Sequence, residues 1–310
     1  MLIMHGRSIQ QTDLPLPLFH RGKVRDTYDL GDKLLMVATD RISAYDVVLP
    51  NSIPYKGQVL TAFSNFWFER TQAIITNHLI TARPVQFPFD WRTWNKTQRD
   101  QIWGRSMLVR KTKRIDIECV ARGYLAGSAW QEYEKTNTVA GILLPNWLHQ
   151  SQQLVEPIFT PAIKAASGHD ENITFEEMVN RIGKELSEKM RDATMKIYAH
   201  MSEYARQQGI IMADTKLEFG LLDNQLILID EIGSPDSSRY WEVAKYRLEG
   251  PQLSLDKQYV RDWLTAVRWN REPPAPNMPN DVIQKTSDKY LEAYKRIAKR
   301  DLVGELYPPS

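Results

Sequence analysis

The hydrophobic pattern changes period at Thr174, and that change limits the folds open to the chain more than any other feature. Before it, residues 33–39 and 106–112 are short apolar runs that read as strands. Residues 115–122 alternate strictly, with Ile115, Ile117, Cys119 and Ala121 on one side and Asp116, Glu118, Val120 and Arg122 on the other. One helical stripe, Val59, Phe63, Phe66 and Trp67 within residues 57–71, interrupts them, and a polar stretch rich in Trp and Arg fills 88–105. From a Thr174-x-x-Glu177 capping box onward, Met178, Ile182, Leu186, Met190, Ala193, Ile197 and Met201 recur at helical spacing as far as Gly209, as one long helix or two. Residues 210–222 and 226–229 return to strand period around Asp223-Asn224, a hairpin signal. Helices are expected at about 255–269 and 281–299, separated by the Pro-rich stretch 272–279. Strands in the first half and helices flanking a later hairpin give an α+β or mixed α/β chain, and 310 residues suffice for two lobes.

Composition narrows the function. Forty Lys and Arg against 38 Asp and Glu leave a net charge of +2, without the one-sided excess of a nucleic-acid binder, so any anion site must be local. Trp91, Trp94 and Trp103 among Arg92, Arg99 and Arg105 form the one patch that could stack on single-stranded RNA. The lone Cys119 cannot make an intrachain disulfide, residues 1–12 do not read as a signal peptide, and no apolar run approaches the ~18 residues of a membrane span. A cytoplasmic protein without membrane or nucleic-acid partners is expected. Cys and His lack zinc-ligand spacing, and no Gly-x-Ser-x-Gly elbow is present.

Four polar segments could carry chemistry. In His20-Arg21-Gly22-Lys23-Val24-Arg25-Asp26, a glycine followed by cations would let backbone amides approach a phosphate, although a solvated turn fits equally well. Asp214, Lys216 and Glu218 share one strand face, with Asp230-Glu231 on the partner strand. Carboxylates beside a lysine suit Mg²⁺ with nucleotide phosphates; a salt-bridge ladder is the alternative. A hairpin loop of three or five residues would put Asp230 on the face of Glu218, whereas a two-residue turn would put it on the other. The third segment runs from Glu118 through Arg122 to Gly127-Ser128, where Ser128 and Gln131 read as a capping box that opens a helix over 129–136. The fourth, Ser234-Pro235-Asp236-Ser237-Ser238-Arg239, offers a bidentate arginine and a carboxylate. Further polar clusters lie at 40–46, at Lys56-Gly57 and at 164–172.

In this order the segments resemble the phosphoribosylaminoimidazole-succinocarboxamide synthase (SAICAR synthetase) family over almost the whole chain. Its most specific pieces are Ile117-Glu118-Cys119-Val120-Ala121-Arg122-Gly123-Tyr124-Leu125-Ala126-Gly127-Ser128 and Asp214-Thr215-Lys216-Leu217-Glu218-Phe219-Gly220. The length is that of the family's longer branch; Ala129 and Asp116 depart from the Gly and Pro of many relatives.

The resemblance implies a SAICAR-synthase-like fold: a β-rich, kinase-like nucleotide lobe over 1–114, a larger α/β lobe over 115–310 carrying the Mg-ATP and substrate sites, and an ATP cleft between them. It implies a ligase that uses ATP and Mg²⁺ to join L-aspartate to the carboxylate of carboxyaminoimidazole ribonucleotide (CAIR), as a monomer or homodimer. Gly22, Lys23, Val24 and Arg25 would cover the ATP phosphates, and the backbone of Lys111 to Ile115, including Lys113, would receive the adenine. Lys216 would contact the phosphates, and Glu218 and Asp230 would hold Mg²⁺. Glu118, Arg122, Ser128, Asp236, Arg239 and Arg261 would bind the ribonucleotide. Lys164, His169 and Asp170, with Asp40, Ser43 and Lys56, match segments near the carboxylate and aspartate sites; the amine must also lose a proton, to Asp170 or another carboxylate. A small-molecule kinase and a nucleotide-binding module without chemistry are the competing readings; the absence of HRD and DFG motifs counts against a protein kinase.

Overall fold

The strands expected from two-residue alternation form, and their pairings are antiparallel. They belong to a computed structural model that describes residues 8–163 and 171–306. The chain divides into two units, Met1–Phe66 with His78–Lys111 and Asp256–Ser310, and Trp67–Asn77 with Thr112–Leu255.

In the first unit, β1 (Leu18–Arg21), β2 (Arg25–Asp29), β3 (Lys33–Ala38), β6 (Leu79–Thr81) and β7 (Ser106–Arg110) build a five-stranded sheet in the order β1-β2-β3-β7-β6. The strands β4 (Arg41–Ala44) and β5 (Val47–Ser52) pair separately. Leu14, Tyr28, Leu35, Val37, Phe87, Ile102 and Leu108 form one core, against which Trp91 and Trp94 pack partly buried. The stretch 88–105 is therefore part of a core, and it contains the helix Lys96–Ile102 with an Asn95–Gln98 capping box. Trp91 and Trp94 are thereby engaged in packing, whereas Trp103 stays exposed.

A second core joins Ile42, Leu49 and Ile53 to Val260, Leu264, Met278 and Val282. The helices Gln258–Ala266 and Asn280–Ala298 thus bury their apolar stripes within the first unit. The sequence partition grouped these residues with the later lobe, because chain order does not show which surface a terminal helix will cover.

In the second unit, β8 (Lys113–Tyr124), β11 (Gln153–Ile163), β12 (Glu171–Asn172), β13 (Ile210–Leu222), β14 (Gln225–Ile229) and β15 (Ser238–Glu242) form a sheet in the order β12-β11-β8-β13-β14, with β15 also on β13. The strands β9 (Thr138–Val139) and β10 (Ile142–Leu143) form a small hairpin. The long amphipathic pattern resolves into the helices Phe175–Ile182 and Lys184–Gln207, interrupted at Gly183, which has φ +86°. Thr174 and Glu177 make the expected reciprocal cap. Met190, Ile197 and Met201 of the long helix are fully buried, as are Cys119, Ala121, Leu217 and Phe219 of the sheet. Tyr198 Oη donates to the Met212 carbonyl at 2.8 Å, tying that helix to β13. One face of β8 and β13 is thereby covered, and the other carries Glu118, Arg122, Asp214, Lys216 and Glu218. Among the described residues no helix is long and apolar enough to cross a membrane.

Gly57, in the first turn of the helix Lys56–Thr71, sits where a Cβ would lie 2.2 Å from the Ala38 carbonyl oxygen and 2.7 Å from Arg105 Nη1. Backbone cannot yield cheaply there, so Gly57→Ala is expected to cost about 3 kcal/mol. A denaturant midpoint within experimental error of the parent would contradict this packing.

Candidate active site

Register makes the first part of the site. Pairing sets Glu218 opposite Glu118, Lys216 opposite Val120 and Asp214 opposite Arg122, so the charged residues of two strands fall on one face. Lys216 Nζ donates to Glu218 Oε1 at 2.6 Å and to Glu118 Oε1 at 3.0 Å. Burial alone would pull the Lys216 ammonium down, but the charges of Glu218, Glu118 and Asp230 outweigh it and hold its pKa well above the ordinary lysine value. Three carboxylates to one ammonium leave two negative charges in excess among these four side chains.

Asp230 arrives by a route that alternation does not describe. The hairpin loop has two residues, since Leu222 pairs with Gln225, and Asp223 and Asn224 have φ of +50° and +62°, as a type I′ turn requires. Glu218 pairs with Ile229, so continued alternation would send Asp230 to the covered face. The strand ends at Ile229, however, and Asp230 adopts φ +64°, which brings its charge to bear on Lys216.

A cationic cluster lies further along the same face. Arg122, nearly buried, donates from Nε to Thr160 Oγ1 at 2.9 Å, from Nη1 to Asp214 Oδ2 at 3.4 Å and from Nη2 to Ser128 Oγ at 3.3 Å. Arg239 Nη1 donates to the same Asp214 oxygen. Burial and the neighbouring Arg239 pull the Arg122 guanidinium below its ordinary value, against the opposing charge of Asp214. Two guanidinia to one carboxylate leave one positive charge in excess, which suits a phosphate.

Gly127 lies against this pair. A Cβ there would meet Arg239 Nη2 at 2.0 Å, and its backbone (φ +59°, ψ −131°) is open to glycine alone. The expected Ser128 capping box is not made: the helix Ser128–Thr136 has Gly127 at its N-cap, and the exposed Ser128 is its first residue, turned to Arg122. The arginine competes for the hydroxyl. Asp236 sits in the turn after Asp230, where its amide donates to Ser234 Oγ at 3.1 Å, and the Ser237 carbonyl takes the Lys216 amide at 2.8 Å. Sequence reasoning did not assign roles to Asp214 or Thr160. Asp214 was legible from its place in the Asp214–Glu218 alternation, but nothing in the sequence marks Thr160.

In the first unit, Gly22, Lys23 and Val24 form the tip between β1 and β2, closed by the Gly22 amide on the Arg25 carbonyl at 2.8 Å. Lys23 Nζ pairs with Asp46. Asp40 is buried and occupied: it accepts from the Ile9 amide at 2.8 Å, the Gly57 amide at 2.9 Å and Arg105 Nη1 at 2.9 Å. Its carboxylate holds the start of the helix that Lys56 opens, and Lys56 is itself fully buried. Ser43 is buried on β4. Lys111 Nζ binds Asp29 Oδ2 at 2.7 Å, and Arg261 Nη1 donates to Gln258 at 3.4 Å. Lys113 is exposed at the start of β8 in the second unit. Lys164, His169 and Asp170 lie outside the described residues.

An α+β fold whose sheet face sets carboxylates and a lysine beside an arginine pair offers what an enzyme for phosphorylated substrates needs. A family model described as SAICAR synthetase matches residues 18–276. The phosphoribosylaminoimidazole-succinocarboxamide synthase of Desulfosudis oleivorans is 53% identical over 287 residues, covering 92% of this chain and 97% of that protein. SAICAR synthase from Saccharomyces cerevisiae, solved in complex with SAICAR, has a TM-score of 0.86 at 44% identity, covering 95% of this chain and 99% of that one. A SAICAR synthetase solved with ADP shares the fold at a TM-score of 0.66 and 24% identity, covering 91% of this chain and 98% of that one. The chain belongs to the SAICAR synthetase family.

The raised Lys216 pKa fixes a sign. Stability from its ion pairs is fully present below the unfolded value, about 10.5, and is lost as pH rises through the higher folded value. The stability difference between the parent chain and Lys216→Met is therefore expected to hold up to about pH 10.5 and to shrink above it. Denaturant midpoints of both chains across that range measure it, and a difference that grows with alkalinity would refute the pairing.

Proposed function

We propose that this chain joins L-aspartate, through its amine, to the carboxylate of 5-amino-1-(5-phospho-D-ribosyl)imidazole-4-carboxylate (CAIR). The products are SAICAR, ADP and phosphate, in purine biosynthesis. The observation that carries the reading is the single sheet face on which Glu118, Lys216 and Glu218 adjoin Asp214, Arg122 and Arg239, in a chain of this family.

The chemistry follows from need. A carboxylate is a poor electrophile, so its oxygen first attacks the γ-phosphorus of ATP and ADP leaves. The amine of aspartate then attacks the acyl phosphate, phosphate departs and the amine loses a proton. Lys216, kept protonated by its carboxylates, offsets charge on the transferring group. Holding the amine in line with the acyl carbon supplies much of the acceleration.

Mg²⁺ fits the donor set. Among the described residues no group of three or more His, Cys, Asp or Glu is arranged to hold a metal. Mg²⁺ takes one or two carboxylates plus substrate phosphates, and the negative excess around Lys216 offers Glu218 and Asp230. When bound, it would neutralise phosphate charge.

The remaining roles are those the family resemblance implies. Gly22, Lys23, Val24 and Arg25 would cover the ATP phosphates, with Lys111 and Lys113 near the base. Glu118, Arg122, Ser128, Asp236, Arg239 and Arg261 would bind the ribonucleotide, with Ser128 at the helix N-terminus and the arginines on its phosphate. Lys164, His169, Ser43 and Lys56 would serve the carboxylate and aspartate, and Asp170 or another carboxylate would accept the amine proton. Asp40 would act through the helix start it holds. A cytoplasmic location accords with the lone, buried Cys119.

ADP release is expected to require both aspartate and the carboxylated ribonucleotide. Lys216→Ala and Asp230→Ala should each lower the ligation rate by roughly 10²-fold or more. Release of ADP at the same rate without aspartate would mark a small-molecule kinase instead, and no turnover at all would mark a binding module.

A further inference from the structure

Arg41, in the segment 40–46, holds the tip between β1 and β2 from behind. Its Nη2 donates to the Gly22 carbonyl at 2.8 Å, and its Nε to the Lys23 carbonyl at 3.1 Å. The guanidinium is itself fixed. Nη2 also meets Asp26 Oδ1 at 2.8 Å, and Nη1 donates to the Gln10 carbonyl at 2.5 Å. Asp26 is fully buried and takes the Thr12 amide and hydroxyl, each at 2.8 Å. Beside it, the amide and hydroxyl of Thr39 both donate to the Val24 carbonyl at 2.9 Å.

These contacts decide where the tip's donors point. In a planar trans peptide the C=O and the N–H of one unit face opposite ways. Drawing the carbonyls of Gly22 and Lys23 onto Arg41 therefore turns the amides of Lys23 and Val24 away from it. Neither amide has a hydrogen-bond partner among the described residues. Two successive amides presented on the outer side of a turn are an anion-binding concavity. The fork of one guanidinium spans both carbonyls, which the compact ammonium of a lysine does not.

We propose that Arg41 is a positioning residue for phosphate recognition, setting the amides of Lys23 and Val24 before a nucleotide arrives. The inference rests on the reading of residues 22–25 as the cover of the ATP phosphates. Its mark is selectivity: loss of the fork should weaken ligands in proportion to their phosphates and leave the rest of the site alone.

Three chains test it: the parent, Arg41→Lys and Lys23→Ala. Each is assayed full length for KM of ATP and of aspartate, and for inhibition by ADP and by adenosine. Arg41→Lys is expected to raise the ATP KM and the ADP inhibition constant about tenfold, the loss of one to two hydrogen bonds. The adenosine constant and the aspartate KM should stay unchanged, and Lys23→Ala should show the same selectivity. If Lys23→Ala weakens ADP while Arg41→Lys does not, the positioning role is overturned and the loop reading stands. Equal weakening of adenosine and ADP by Arg41→Lys also overturns it, since a merely structural residue would act so. If neither variant affects ADP, the loop reading fails and the inference goes with it. Should Arg41→Lys not fold, Arg41→Gln, which keeps an amide donor, takes its place in the same comparison.

Discussion

The site in the second unit depends on the register between β8 and β13. The backbone ladder that sets Glu118 opposite Glu218 and Arg122 opposite Asp214 gathers a carboxylate group around Lys216 and an arginine pair around Asp214 onto one face. Side-chain period in a strand is two, so a slip of one residue would turn this set toward the helix Lys184–Gln207 and expose Cys119, Ala121, Leu217 and Phe219. Burial of those apolar residues is therefore what holds the charged ones in place. Fold stability and site geometry are two readings of a single alignment.

Much of this was legible from alternation. The strict period over residues 115–122 placed Glu118 and Arg122 together, and the capping box at Thr174 marked a helix start that the structure contains. Three features were not legible in that way. Ser128 had the sequence of a cap, but the guanidinium of Arg122, six residues earlier on β8, claims its hydroxyl, and the S-x-x-Q pattern does not weigh such a competitor. Asp230 brings its charge to bear on Lys216 from a left-handed backbone that period counting cannot represent. The terminal helices join the first unit because their apolar stripes match Ile42, Leu49 and Ile53, and such a match exists only in three dimensions.

A net charge of +2 conceals strong local separation. On one sheet face, an acidic group around Lys216 adjoins a basic group around Asp214, each organised by a single residue of opposite sign. Inverted pairs of this kind fix side chains while leaving net charge for a ligand of the complementary sign. In the first unit a buried carboxylate does comparable work: Asp40 joins a helix start, an arginine and the N-terminal segment.

The left-handed conformation of Asp230 sets two demands on that residue against each other. A non-glycine side chain there carries a backbone cost on the order of 1 kcal/mol, which glycine would remove and asparagine would ease. Random variants of this chain screened only for resistance to heat would drift toward Gly or Asn at position 230, gaining robustness as the carboxylate is lost. Retention of an aspartate at so unfavourable a backbone angle would be the signature of a lineage still under pressure to use it.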